Sequence, residues 1–181
     1  MSIVNIKDAA IDGILLRLTF DGAFQRANIY KGNLKAVQRK EFRNSIAVLL
    51  SKYLKQIKKR KKYKDQDHYK TIAEFSKEVT RKHSQILQGK RMRIGNAQKF
   101  LNLYWKVCWL LKKGTPKPIH CPFDSIIMKK LPKKVRVPWT QFDTIEEYKI
   151  LVESVELKIG RHKSIAEWEL AIYQKEVNYG I

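Results

Sequence analysis

Apolar residues recur at intervals of three and four along most of this chain of 181 residues, which is the period of an amphipathic α-helix. The spacing predicts seven helices, over residues 3–20, 34–57, 67–88, 97–111, 125–131, 145–159 and 164–177. The alternation of apolar and polar residues that marks a β-strand is almost absent. We therefore expect an all-α fold in a single domain that spans residues 1–181.

Turn-forming residues set the expected ends of these helices. Phe20-Asp21-Gly22 breaks the first apolar pattern, Lys31-Gly32-Asn33 predicts a turn, Asp67 is a candidate N-cap and Gly89 ends the third helix. The helix over 97–111 is apolar on nearly all sides, so we expect it at the centre of the fold.

Charge narrows the choice of partner. The chain has 38 Lys and Arg against 17 Asp and Glu, a formal net charge of +21. Such a surplus of positive charge favours binding to a polyanionic partner. Nucleic acid is the first choice and an anionic membrane surface the second. The run Lys58–Lys62 is interpreted either as a solvated helix end or as a contact with a phosphate backbone. We expect a monomer that binds double-stranded DNA and no membrane.

The rest of the composition excludes several kinds of site. Two cysteines and four histidines, scattered along the chain, do not form a zinc motif, and no disulfide framework is indicated. Residues 1–7 do not resemble a secretory signal, and no apolar run reaches membrane-spanning length. We expect a cytoplasmic protein that needs no metal or other cofactor.

Two segments carry the candidate chemistry. In Gly95-Asn96-Ala97-Gln98-Lys99, small residues and a helix N-terminus would let backbone N–H groups hold a phosphate. Desolvation lowers the pKa of a lysine, so we expect Lys99 to be available as a neutral amine. In Pro122-Phe123-Asp124-Ser125-Ile126-Ile127, Asp124 is placed to cap a helix and to present its carboxylate there.

These two segments resemble the hairpin and the aspartate segment of the helix-hairpin-helix superfamily of DNA glycosylases. The family's Gly-x-Gly-x-Lys is matched with Ala97 in place of the second glycine, and Arg93-Ile94 stands where Leu-Pro often precedes it. The resemblance covers residues 89–131. The long interval from lysine to aspartate is similar to the interval in the archaeal 8-oxoguanine glycosylase branch. A small, basic antiphage member of the family that attacks modified phage bases would have a similar sequence. Because alanine does not tolerate glycine-only conformations, we expect a distorted hairpin.

The resemblance implies specific roles. Lys99 would attack the sugar C1′ and form a Schiff base, and Asp124 would assist departure of the base. DNA contacts are expected from the hairpin and its flanks, namely Arg93, Gly95, Asn96, Ala97, Gln98 and His120. Phe20, Phe24 and Tyr30 flank the early turns and are candidates to stack a flipped base, although core packing is the alternative.

Other interpretations of the same residues stay open. Asp124 alone is explained as an N-cap, and Lys99 as a phosphate contact. A non-enzymatic DNA- or RNA-binding module that uses the hairpin as a backbone clamp needs neither group for chemistry. A protein that binds an acidic partner would explain the charge as well.

Overall fold

The computed structural model describes residues 3–25 and 27–176, and within them it contains helices and no strand. The α-helices are α1 (Ile3–Phe24), α2 (Ala36–Lys59), α3 (Asp65–His83), α4 (Ile94–Leu111), α5 (Ser125–Lys130), α6 (Ile145–Ile159) and α7 (Ile165–Glu176). Short 3-10 turns occur at Gln88–Lys90 and Lys133–Val135. The expected all-α fold is confirmed. The predicted end of the last helix at residue 177 lies outside the described ranges.

Helix α4 lies at the centre of the described fold, as its apolar pattern predicted. Helices α1, α2, α3 and α6 all pack against it. Its residues from Ile94 to Asn102 are buried without exception. A helix that is buried on nearly all sides has little surface in contact with water. Its sequence therefore needs no stripe of exposed polar residues.

The first helix runs through the predicted break at Phe20-Asp21-Gly22 and ends at Phe24. Gly22 is a packing residue: a Cβ there would lie 2.7 Å from Cδ2 of Leu103 on α4. The absence of a side chain therefore lets α1 approach α4 closely, and the prediction of a helix end was wrong. Gly32, by contrast, has φ of +67° and lies in the turn predicted between α1 and α2.

The start of α3 also differs from the prediction. The helix begins at Asp65, so Asp67 is its third residue and not its N-cap. The Asp67 carboxylate instead accepts a hydrogen bond from the backbone N–H of Lys64, at 3.1 Å. Aspartate is favourable both at the N-cap and at the third helical position. Both positions place its carboxylate beside unpaired N–H groups of the first turn.

The Gly95 segment is not a turn. Helix α4 begins at Ile94, so residues 95–99 are helical, and Ala97 occupies an ordinary helical position where a glycine is not required. The backbone distortion expected at Ala97 is therefore absent. Gly95 is needed for another reason: its N–H donates to the Phe142 carbonyl at 3.1 Å, and a Cβ there would lie 1.7 Å from the Trp139 carbonyl oxygen.

Gly95→Ala is expected to destabilise the protein by about 3 kcal/mol or more, because the added methyl group meets backbone atoms that cannot rotate away. The matched control is Gly13→Ala, since a Cβ at Gly13 on α1 has nothing within 4 Å. That change is expected to be neutral or slightly stabilising. Denaturant unfolding of both variants measures the difference, and equal midpoints would contradict the close contact of residues 139–142 with α4 at Gly95.

Candidate active site

A cavity of 520 Å³ lies along one face of α4. Helix α1 forms one wall with Leu18 and Gly22, and α7 forms another with Glu169, Leu170 and Tyr173. Leu18, Leu110, Leu111 and Tyr173 are exposed as well as lining it, so the cavity opens to solvent on their side. Its volume falls within the range of small-molecule sites in proteins.

Lys99 and Asp124, the two residues singled out for chemistry, both line this cavity. Lys99 comes from the second turn of α4, and Asp124 from the loop that leads into α5. Pro122 and Ile126 line the same part of the cavity beside Asp124. A lysine and an aspartate from two separate segments therefore line the same open space.

Asp124 caps α5 in the way its sequence predicted. Its Oδ1 accepts hydrogen bonds from the backbone N–H groups of Ile126 and Ile127, at 2.9 and 3.1 Å. The second carboxylate oxygen takes no part in this cap. Capping therefore orients the carboxylate and leaves one of its oxygens for another task.

Lys99 is held against an aromatic ring. Its side chain is 6 % exposed, and Nζ lies 4.0 Å from the centre of the Trp139 ring. The loop that carries Trp139 is fixed to the start of α4, because Arg93 donates to the Gln141 carbonyl at 3.1 Å and Arg91 forms an ion pair with Asp143. The position of Lys99 thus depends on the loop that carries Trp139. The same loop leaves no room for a side chain at Gly95.

Two amide side chains of α4 hold the segment that leads to Asp124. Gln98 is completely buried; its Nε2 donates to the Phe123 carbonyl at 2.9 Å, and its Oε1 accepts from the Phe123 N–H at 3.1 Å. Asn102 donates to the Cys121 carbonyl at 2.9 Å. This pairing fixes the distance between α4, which bears Lys99, and the loop that bears Asp124.

The amides belong to a longer buried network. Asn102 also donates to the Tyr148 hydroxyl and pairs with Nε2 of His68, while the Tyr148 hydroxyl also meets Nδ1 of His120. Burial lowers the pKa of His68 to about 3 and raises that of Tyr148, so both are neutral near pH 7. The network is a rigid support beneath the cavity and not part of its lining.

A buried ion pair lies farther along the cavity. Nζ of Lys106 is 2.8 Å from Oε1 of Glu169, and both side chains are at most 10 % exposed. Nζ also lies 4.6 Å from the centre of the Tyr173 ring. Burial raises the pKa of Glu169, Lys106 opposes that rise, and the nearby Asp124 carboxylate adds to it. Asp124 and Glu169 are therefore within electrostatic reach of each other.

The other predicted DNA contacts lie either in a pocket at the start of α4 or in the protein interior. Arg93 and Asn96 line a separate pocket of 190 Å³ at the start of α4, together with Arg91. Gly95, Ala97 and Gln98 are buried and do not line the cavity, and the Gly95 N–H is already bonded to Phe142. Backbone N–H groups of this segment were expected to hold a phosphate, but residues 95–98 lie within helix α4 and do not line the cavity.

His120 is also internal. It is 1 % exposed, with Nε2 lying 3.2 Å from Asp65 and Nδ1 lying 2.9 Å from the Tyr148 hydroxyl. Both ring nitrogens are therefore engaged inside the protein. The structure places His120 in the support beneath the site and not at a surface that DNA reaches.

The three candidates for base stacking are not brought to the cavity. Phe24 stacks on Tyr30 with ring centres 5.6 Å apart, and Phe20 lies 5.7 Å from Phe24. Phe42 and Phe100 complete this aromatic cluster, which belongs to the core. Packing, the alternative interpretation of these residues, is what the structure shows.

Lys106 and Glu169 were not among the residues predicted for the site. The sequence does contain a pattern that points to each of these two residues. Lys106 is seven residues after Lys99, so two full helical turns place both on one face of α4. Glu169 interrupts an apolar stripe on α7 formed by Ile165, Ala166, Ile172 and Tyr173.

A larger depression lies elsewhere in the described structure. A groove of 1120 Å³ runs between residues 117–119 and the α6–α7 connection. Most of its charged side chains, such as Arg161, His162 and Lys163, are exposed to water. We therefore place the candidate site in the smaller cavity, where charged groups are buried and positioned.

Among the described residues, no group of three or more His, Cys, Asp or Glu side chains is placed to hold a metal ion. No described helix is long and apolar enough to cross a membrane.

No protein-family model, curated protein or solved structure matches this chain.

Proposed function

We propose that the protein is a DNA glycosylase that excises a damaged or modified base at the cavity lined by Lys99 and Asp124. The observation that supports this most strongly is that Lys99 and Asp124 line the same cavity, which opens to solvent. The net charge of +21 supports a nucleic-acid substrate. A base must leave the helical stack to reach such a cavity, so the proposal includes base flipping.

The proposed chemistry assigns one task to each group. As the bond between C1′ and the base breaks, its electron pair leaves with the base, which takes up a proton. Asp124 as a carboxylate stabilises the positive charge that develops on the sugar. Lys99 as a neutral amine attacks C1′, and opening of the sugar ring gives an imine from which β-elimination cleaves the strand.

The proposed DNA surface is basic but is not the backbone clamp expected from the hairpin. Arg93 is half-buried beside the exposed Arg91 in the pocket at the start of α4, whereas Asn96 in the same pocket is buried. The exposed cluster Lys58–Lys62 at the end of α2 is a second candidate for phosphate contacts. Repair of damaged DNA and defence against phages with modified bases are both compatible with this chemistry.

A panel of duplexes tests the proposal. It contains uracil, 8-oxoguanine, alkylated purines and hypermodified cytosines of phage DNA, each paired as in its natural context. Wild-type protein is expected to release free base from at least one member and to leave an abasic site. Binding to every duplex without release of any base would favour the alternative, a non-enzymatic DNA- or RNA-binding module.

DNA affinity is expected to fall steeply with salt concentration, because binding of phosphates by Lys and Arg releases counterions. Substituting glutamine for Lys58, Lys59, Lys61 and Lys62 is expected to reduce the slope of log K against log salt by about 0.9 for each phosphate that is no longer neutralised. Arg60 is left unchanged because it is ion-paired with Asp67.

Fluorescence anisotropy at several salt concentrations measures this slope. Single-turnover base release at saturating protein is the control, and it is expected to stay unchanged because these lysines lie outside the cavity. An affinity that does not vary with salt in wild-type protein would contradict the proposed mode of binding.

A further inference from the structure

We infer that the small pocket at the start of α4 binds one phosphate group of the DNA backbone through Arg91 and Arg93. In the absence of DNA, the Asp143 carboxylate occupies Arg91, and the phosphate displaces it. The inference rests on the proposed function for its ligand, DNA, but not for base excision. It starts from the pocket of 190 Å³ that Arg91 and Arg93 line together.

The pocket has the size and the polarity of an anion site. Its volume corresponds to about six water molecules at roughly 30 Å³ each, which is room for a phosphate group but not for a nucleoside. Apart from Ala27 and Ile29, its described lining residues are polar, and none of them is acidic. The charges in this lining are therefore those of Arg91 and Arg93.

Both arginines can donate to a further acceptor. Arg91 is ion-paired with Asp143, yet its side chain is still 56 % exposed. Arg93 donates from Nη1 to the Gln141 carbonyl at 3.1 Å, and Gln141 itself lines the pocket. A guanidinium carries several N–H donors in a planar fork, so one contact leaves donors for another ligand. That fork matches the oxygen atoms of a phosphate, which is why arginine is common at phosphate sites.

The Asp143 carboxylate competes for the same donors. The backbone of Asp143 is anchored at the start of α6, because its N–H donates to Oε2 of Glu147 at 2.8 Å. Its side chain meets Arg91 from that position. A carboxylate and a phosphate accept from an arginine in the same geometry, so one edge of the guanidinium serves only one of them at a time. Asp143 therefore takes the place of a phosphate while no DNA is bound.

The pocket adjoins the cavity along α4. Asn96 lines the pocket and Lys99 lines the cavity. Residues three positions apart on a helix are neighbours, with Cβ atoms roughly 5–6 Å from each other. Trp139 contacts Lys99, and the next two residues, Thr140 and Gln141, line the pocket. A strand whose sugar lies at Lys99 would therefore pass this pocket with one of its phosphates.

Positive charge continues beyond the pocket on two sides. Lys31 and Lys90 are exposed on the two loops that form one wall of it. Residues 125–142, which lead from the cavity to the pocket, contain five basic residues and no acidic one. A free phosphate ion needs a single site, whereas a polyanion is held by charges spread along its length. This distribution favours the backbone of a nucleic acid over a small anion as the ligand.

The test breaks the same ion pair from its two sides. Arg91→Gln removes the proposed phosphate ligand, whereas Asp143→Asn removes its competitor and leaves Arg91 in place. Two matched controls, Lys117→Gln and Glu167→Gln, change the net charge by the same amounts at the exposed ion pair Lys117–Glu167. Thermal unfolding checks that all four variants are folded.

Affinity for an undamaged duplex is measured by fluorescence anisotropy at several salt concentrations. Arg91→Gln is expected to weaken binding about tenfold and to reduce the slope of log K against log salt by about 0.9. Asp143→Asn is expected to strengthen binding about two- to fivefold, and more than Glu167→Gln does. Weaker binding in both variants, which a purely structural ion pair predicts, would overturn the inference. So would a gain in Asp143→Asn no larger than in Glu167→Gln.

The outcomes separate this inference from the glycosylase. Opposite shifts of affinity in Arg91→Gln and Asp143→Asn, without release of any base by wild type, would retain the phosphate site and reject base excision. Base release with the same DNA affinity in wild type and both variants would do the reverse. Arginine side-chain NMR at constant ionic strength tests inorganic phosphate alone. Binding of that ion to Arg91, with DNA affinity unchanged in Arg91→Gln, would assign the pocket to a small anion and overturn the inference.

Discussion

Asp124→Asn is expected to slow base excision by about 10²- to 10⁴-fold while the protein stays folded. The asparagine side-chain oxygen can accept from the Ile126 and Ile127 N–H groups as Oδ1 of Asp124 does, so the cap of α5 is preserved. A neutral amide, however, cannot offset the positive charge that develops on the sugar. Single-turnover base release on the best duplex of the panel measures the effect.

Two further substitutions separate the cap from the chemistry. Asp124→Ser keeps a capping oxygen without a carboxylate and is expected to be as inactive as Asp124→Asn. Asp124→Ala removes the cap as well and is expected to cost about 1 kcal/mol of stability in addition. If Asp124→Asn excises the base at the wild-type rate, Asp124 is an N-cap and nothing more.

Lys99→Gln is expected to abolish the covalent complex that borohydride traps between the protein and abasic DNA, because an amide cannot form an imine. The matched variant is Lys99→Arg, which keeps a positive charge over the Trp139 ring but cannot act as a neutral amine near physiological pH. Both variants are expected to bind DNA. Denaturing gels of the reduced complexes measure trapping.

The two lysine variants divide the possible roles of Lys99. Trapping that persists in Lys99→Arg would place the nucleophile elsewhere. If both variants still release base but no longer cleave the strand, the lysine serves the lyase step only, and Asp124 carries excision without it. If Lys99→Gln loses DNA binding and Lys99→Arg keeps it, Lys99 is a phosphate contact.

The sequence predicted the helices well because apolar residues at helical spacing are buried in most of them. Helix α6 was predicted over 145–159 and is observed over the same residues. The bounds of α3 were predicted less well, since it begins at Asp65 and ends at His83, before Gly89. Two other failures occur where a glycine serves tertiary packing. Gly22 and Gly95 look like turn residues in the sequence, but each lies inside a helix against another part of the chain. Nothing local distinguishes such a glycine from a turn.

The site was predicted in part. Lys99 and Asp124 were singled out because each lies at or near the start of a predicted helix. The structure places both residues in the lining of one cavity. Glu169 was overlooked because its partner, Lys106, lies 63 residues away in the sequence. Gln98 and His120 were taken for DNA contacts because polar residues near a motif suggest the surface, whereas here they hydrogen-bond inside the protein.

The most direct test of the proposed function is single-turnover base release, measured side by side for wild-type protein, Asp124→Asn and Lys99→Gln on every duplex of the panel. Binding to each duplex is measured in parallel. The proposal predicts free base and an abasic site from wild type on at least one duplex, with release lost in Asp124→Asn at unchanged binding. Binding of every duplex by wild type without release of any base would contradict it.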